Sequence, residues 1–105
     1  MAEIIWTETA LSDIDNIAAY IAQDSYFYAT QFVRKIFLVV KKLEKYPEIG
    51  KAVPELIAYE YREILLNKYR IIYRKDASFV YIISVHHSAR LLINNDHFKN
   101  LFDND

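Results

Sequence analysis

The sequence predicts a two-layer α+β fold in which an antiparallel sheet packs on a helical hairpin. Three observations carry this. Apolar residues recur at helical spacing between residues 10 and 43. Three β-type runs with short polar breaks fill residues 59–86. One further β-type run precedes the helices. Helices grouped ahead of an antiparallel sheet define the layered class. The predicted order is βααβββ, with a short helix expected near the C-terminus.

The opening run, residues 2–6, holds Ile4, Ile5 and Trp6 and reads as a short strand. Thr7 or Thr9 supplies a capping hydroxyl for the helix that follows. Leu11, Ile14, Ala18 and Ile21 form its apolar stripe, and Asp24-Ser25 ends it. A longer helix follows, with Ala29, Phe32, Val33, Ile36, Val40 and Leu43 on its inner face. Lys41, Lys42 and Lys45 near its end complement the helix dipole. Tyr46-Pro47-Glu48-Ile49-Gly50 stops it, because proline forbids continuation and glycine permits a positive φ. Residues 51–58 read as a linker containing Pro54. Strands are expected at about 59–66, 69–75 and 79–86, with hairpin-type breaks at Asn67-Lys68 and Lys75–Ser78. Alternation in the middle strand places Tyr69, Ile71 and Tyr73 toward the helices and Arg70, Ile72 and Arg74 on the other face. The tail, 93–102, holds the expected short helix, weakened at its start by Asn94, Asn95 and Asp96.

The chain has 105 residues, 53% of them hydrophobic, with one Gly and two Pro. That fits one domain, 1–105, with a compact core and few loops. There is no Cys, so disulfides and thiolate metal sites are excluded and a reducing interior suits the chain. No cationic segment precedes an apolar run at the N-terminus, and no apolar run approaches bilayer length, so a soluble cytoplasmic protein is expected. No cofactor or metal is expected. Net charge is −1, but charge is segregated. Residues 1–33 hold five acids and no Lys or Arg, whereas residues 34–75 hold eleven of the thirteen Lys and Arg. One basic face on a balanced chain suits an anion or an acidic partner better than it suits general nucleic-acid binding.

The candidate functional residues are Arg62, Arg70, Arg74, His87 and Arg90. A purely structural meander would place Ile, Val or Thr where this one places Arg, Tyr and His. Each also has a structural reading. Arg62 and Glu63 point to opposite faces, and one of them can pair across strands with Arg70 or Arg74. The stem of Arg70 can lie over apolar sheet surface. His86 and His87 can be strand-end residues with satisfied hydrogen bonds, and Arg90 can close the sheet end.

In order along the chain stand Trp6-Thr7 with Ala10-Leu11, then Leu43, Tyr46-Pro47-x-x-Gly50-Lys51, Tyr61-Arg62-Glu63, Tyr69-Arg70-Ile71-Ile72-Tyr73 and His87-Ser88-Ala89-Arg90. This series resembles the ParE/RelE superfamily of toxins from type II toxin–antitoxin modules, over nearly the whole chain. The resemblance implies the fold above and a cognate antitoxin that wraps the toxin, giving a hetero-oligomer. An open sheet edge, and the helical pair with the Arg-bearing face, are the expected places for that partner.

The superfamily joins two activities. RelE-like members cut mRNA on the ribosome; ParE-like members inhibit DNA gyrase. Metal-free RNA cleavage needs a base for the 2′-hydroxyl, cations for the crowded phosphate and an acid for the leaving oxygen. In a nuclease reading the candidates are Arg62, Arg70, His87 and Arg90, with Arg70 matching the sheet arginine of such enzymes. The remaining lysines and the C-terminal tyrosine of the RelE pattern have no clear counterpart here, and the chain is slightly acidic. The resemblance therefore favours a ParE-like gyrase inhibitor, which is not an enzyme. The alternatives are a ribosome-dependent endoribonuclease and a non-toxic domain that only binds its antitoxin.

Overall fold

A computed structural model describes residues 1–102. The last three positions of the expected 1–105 span lie outside the described residues. Strand β1 (Glu3–Trp6) leads into helices α1 (Glu8–Ala22) and α2 (Tyr26–Lys41). After a 3-10 turn comes β2 (Lys51–Ala52), then a 3-10 segment, Pro54–Tyr59. The meander β3 (Arg62–Leu66), β4 (Tyr69–Lys75) and β5 (Phe79–His87) follows. A 3-10 turn at Leu92–Asn94 and a short helix, α3 (Lys99–Phe102), close the described chain.

The sheet has the order β1-β5-β4-β3-β2. The meander is antiparallel, as expected, while β1 lies parallel to β5 with Ile4 beside Val80 and Trp6 beside Ile82. The chain's first strand therefore completes its last. Thr7 caps α1 by accepting from the Ala10 amide at 3.1 Å. The same hydroxyl donates to the Ile82 carbonyl at 2.8 Å, so one side chain starts the helix and ties it to β5. Ser25 caps α2 through the Tyr28 amide.

The main core lies between the helices and one sheet face. Ala10, Ile14, Phe32, Ile36, Val40 and Leu43 meet Ile71, Tyr73, Val80, Ile82 and Val85. The α2 face is as expected. The α1 stripe is rotated by about one residue: Ala10, Ile14, Ile17 and Ile21 face the core, while Leu11 is exposed. Both series share Ile14 and Ile21. Burying Ile17 in place of Ala18 removes more apolar surface from water.

The opposite sheet face is covered by a second cluster of Val53, Leu56, Ile72, Ile83, Leu92 and Phe98. The expected linker thus becomes a short strand and a 3-10 segment with its own buried anchors. Strand β3 starts at Arg62 and not at residue 59, because Glu60 sits at φ 61° and turns the chain. Gly50 also differs from expectation, since no glycine here has positive φ. Its role is close approach. A Cβ there would lie 2.6 Å from the Tyr73 hydroxyl and 2.9 Å from the Glu63 carbonyl oxygen. The Gly50 amide donates to that hydroxyl, which in turn donates to the Pro47 carbonyl.

Strand β5 carries a bulge. Ile72 pairs with Ser84 and Tyr73 with Ile82, leaving Ile83 unmatched. A bulge exchanges the faces of the residues beyond it. Val85 and His87 therefore return to the helix face, and His86 lies opposite Arg70 on the other.

Candidate functional site

Arg70 projects from β4 onto the face away from the helices, between Leu65 of β3 and His86 of β5. It is buried, and three of its five N–H donors are engaged by carboxylates. Its Nε donates to Glu63 Oε1 at 2.6 Å. Its Nη1 and Nη2 donate in parallel to the two carboxylate oxygens of Glu55, at 2.8 and 2.7 Å. Glu63 is almost wholly buried, and its second oxygen lies 3.8 Å from Lys51 Nζ. A two-pronged Arg–carboxylate contact is the strongest geometry available to this pair. The Arg70 hydrogen bond holds the Glu55 carboxyl below the usual carboxylate range, against the opposing effect of desolvation. Glu55 in turn raises Arg70 above its ordinary guanidinium value. Glu63 realises the cross-strand pairing anticipated for the Arg62-Glu63 step. Glu55 was not singled out: an acid after Pro54 in an apparent linker gives no sign that it reaches a strand 15 residues on.

His86 is also buried and used at both ring nitrogens. Asn95 Nδ2 lies 3.1 Å from Nδ1, and the Arg90 carbonyl 3.0 Å from Nε2. One proton arrangement satisfies every contact: Asn95 donates to Nδ1, and Nε2–H donates to Arg90. Asn95 also donates to Ser84 Oγ, which donates to Asp13 Oδ2 at 2.7 Å. The same Asp13 oxygen accepts the Val85 amide at 2.9 Å. Beyond Trp6, where β1 ends, Thr7 and Asp13 thus hold the free side of β5. The C-terminal segment is bound to the sheet by the same network.

The remaining candidates are dispersed. Arg62 is on the helix face, directly opposite Tyr73, and donates to the Gly50 carbonyl at 2.8 Å and the Glu48 carbonyl at 3.2 Å. It stitches the Pro47–Gly50 corner and lies across the sheet from Arg70. Arg74 shares the Arg70 face and stacks over the Tyr61 ring at 5.6 Å. His87 packs edge-on against Tyr69 at 5.1 Å, and its Nδ1 accepts from the Ala89 amide. His87 and exposed Arg90 line a cleft of about 1300 Å³ between α1 and the end of β5, together with Tyr20, Tyr69 and Asp13. Of the five candidates, His87 and Arg90 share this open space. Among the described residues no group of three or more His, Asp or Glu side chains is placed to hold a metal ion.

The fold has parallels among solved structures. A solved structure described as the chromosomal ParDE toxin–antitoxin system from P. aeruginosa superposes with a TM-score of 0.70 at 22% identity, covering 83% of this chain and 96% of that one. The RelBE2 toxin–antitoxin complex from Mycobacterium tuberculosis gives a TM-score of 0.57 at 22% identity, covering 82% and 96%. The fold is therefore the ParE/RelE type. In sequence, Toxin RelE2 of Caulobacter vibrioides (strain ATCC 19089 / CIP 103742 / CB 15) is 33% identical over 92 residues, which is 87% of this chain and all of that protein. The model of the ParE toxin of the type II toxin–antitoxin system parDE matches residues 4–92. The chain belongs to this ParE toxin family, within the ParE/RelE superfamily of type II toxins.

Proposed function

We propose that this protein is a ParE-like toxin that acts on DNA gyrase in the cytoplasm and is neutralised by a cognate antitoxin in a hetero-oligomer. The state of Arg70 carries the choice of target. Phosphate stabilisation needs an arginine with donors free to meet the developing charge. Here three of the five N–H donors, one on each guanidinium nitrogen, are taken by Glu55 and Glu63, whose two carboxylates offset its charge. His86, on the same face, has both ring nitrogens engaged, and Arg62 lies on the other face. This supports a surface that binds a protein target over one that performs RNA chemistry. The antitoxin has room at the outer edge of β3, where β2 pairs only with Arg62 and Glu63, and Leu65 is exposed.

A ribosome-dependent endoribonuclease is the second reading. It is favoured by His87 and Arg90, which share the α1–β5 cleft. One comparison separates the two. The purified chain is expected to inhibit gyrase supercoiling, or to trap cleaved DNA, and to leave ribosome-bound mRNA intact. Codon-positioned cuts in translated mRNA with supercoiling unaffected would reverse the choice. Unimpaired growth of cells expressing the chain without its antitoxin would remove the toxin reading altogether.

A further inference from the structure

The outer face of α2 carries an exposed basic stripe, three of whose five cations meet no acid among the described residues. Arg34 and Lys41 are seven residues apart, as are Lys35 and Lys42, so each pair repeats after two helical turns. Lys45 extends the stripe past the 3-10 turn. All five side chains are exposed. Lys41 makes one long ion pair with Glu44 at 3.7 Å, and Lys45 sits over the Tyr46 ring. Arg34, Lys35 and Lys42 have no acidic partner among the described residues. Helix α2 contains no acid at all, while exposed Leu38 and Tyr46 lie among the cations.

We infer that this stripe is a docking surface for a nucleic-acid phosphate backbone, contrary to the expectation from the chain's overall charge. Two observations favour that polyanion over an acidic protein. Four of the five cations are lysines, a residue depleted in protein–protein interfaces that meets phosphates as a compact point charge. Within α2 itself no acid interrupts the cations, and Glu44, in the 3-10 turn beyond it, pairs with Lys41. From residue 34 to residue 45 it runs about 16 Å, the length of roughly five base pairs along a duplex axis. Because residues 1–33 carry acids and no Lys or Arg, the chain is polarised, and a polyanion's field turns the α2 side toward it despite the net charge of −1. The surface is separate from the Arg70 face and from the α1–β5 cleft, so the inference stands whichever target the toxin has.

The test uses the full chain and fluorescently labelled 16-base-pair DNA and RNA duplexes of one arbitrary sequence. With three phosphates neutralised, affinity is expected to fall about 40-fold between 50 and 200 mM salt. The double variant Lys35→Gln/Lys42→Gln is expected to weaken binding at low salt and reduce the salt slope by about two units. Both positions are exposed and unpaired, and Gln preserves helix propensity, so thermal melting should be unchanged. Lys68→Gln/Lys99→Gln, on other surfaces, should bind like the parent. Tighter binding to DNA identifies DNA as the source of the phosphates, and tighter binding to RNA identifies RNA; either supports the surface. It is overturned if neither duplex binds, if the Lys35/Lys42 variant keeps the parental slope, or if a polyglutamate peptide binds the stripe and the duplexes do not.

Discussion

Arg70 illustrates how a residue can be prominent in sequence and still be occupied in the fold. Its partners are unequal. Glu63 is buried beside it, whereas Glu55 is 37% exposed at its side chain and forms the solvent-facing half of the clamp. Removing the arginine leaves Glu63 buried without its main counter-charge, so Arg70→Ala is expected to destabilise the chain by about 3–5 kcal/mol. Replacing the pair together, Arg70→Met with Glu63→Met, should recover much of that loss. Urea unfolding of the three proteins checks both expectations. Glu55 contributes differently, through pH. Its carboxyl titrates lower in the folded chain than its ordinary value of 4.5, so its contribution is present above that value and is lost as pH falls through the folded one. The stability gap between the parent and Glu55→Gln should thus be constant near neutrality and narrow below about pH 4.5. A gap that widens on acidification would contradict the clamp.

Among the elements, those with strong periodicity were legible in the sequence. The two helices, the three meander strands and the Asn67-Lys68 hairpin follow from local pattern, because burial of one face imposes a period. The stretch 51–60 was not legible. Its 3-10 turns are held by Val53 and Leu56 packing beneath the sheet, a tertiary effect with no periodic trace. Nor was the bulge legible, although it decides which histidine meets which face. Read with unbroken alternation, His86 would have faced the helices and His87 the arginines. The Pro47–Gly50 corner offers a test at this scale. Gly50→Ala pushes a methyl group into the fully buried Tyr73 side chain, which cannot swing aside. A loss of roughly 1–3 kcal/mol is expected from overpacking, measured by thermal or urea unfolding. An unchanged midpoint would mean that the corner yields.

Across the whole molecule, the sheet is sandwiched unevenly. A helical layer covers one face, and short irregular segments cover the other. No helix among the described residues is long and apolar enough to cross a membrane. The smaller cluster depends on Phe98, which is fully buried and packs edge-on to Tyr61 at 5.2 Å. Phe98→Ala is expected to cost about 3–5 kcal/mol. It should also loosen residues 92–102 in hydrogen exchange before the helical core opens. The existence of a C-terminal helix was legible, but its anchoring was not, since Phe98 stands among polar neighbours with no period to mark it as the buried residue.

The parallel pairing of β1 with β5 has a consequence in time. Thr7 bonds to a carbonyl 75 residues further along the chain. On a ribosome, the first strand emerges long before its partner exists. Closing so large a loop is entropically slow and cannot be replaced by local contacts. A nascent chain halted before Phe79 should hold its helices without a completed sheet, so the Arg70 face and the α1–β5 cleft arise only once β5 has emerged.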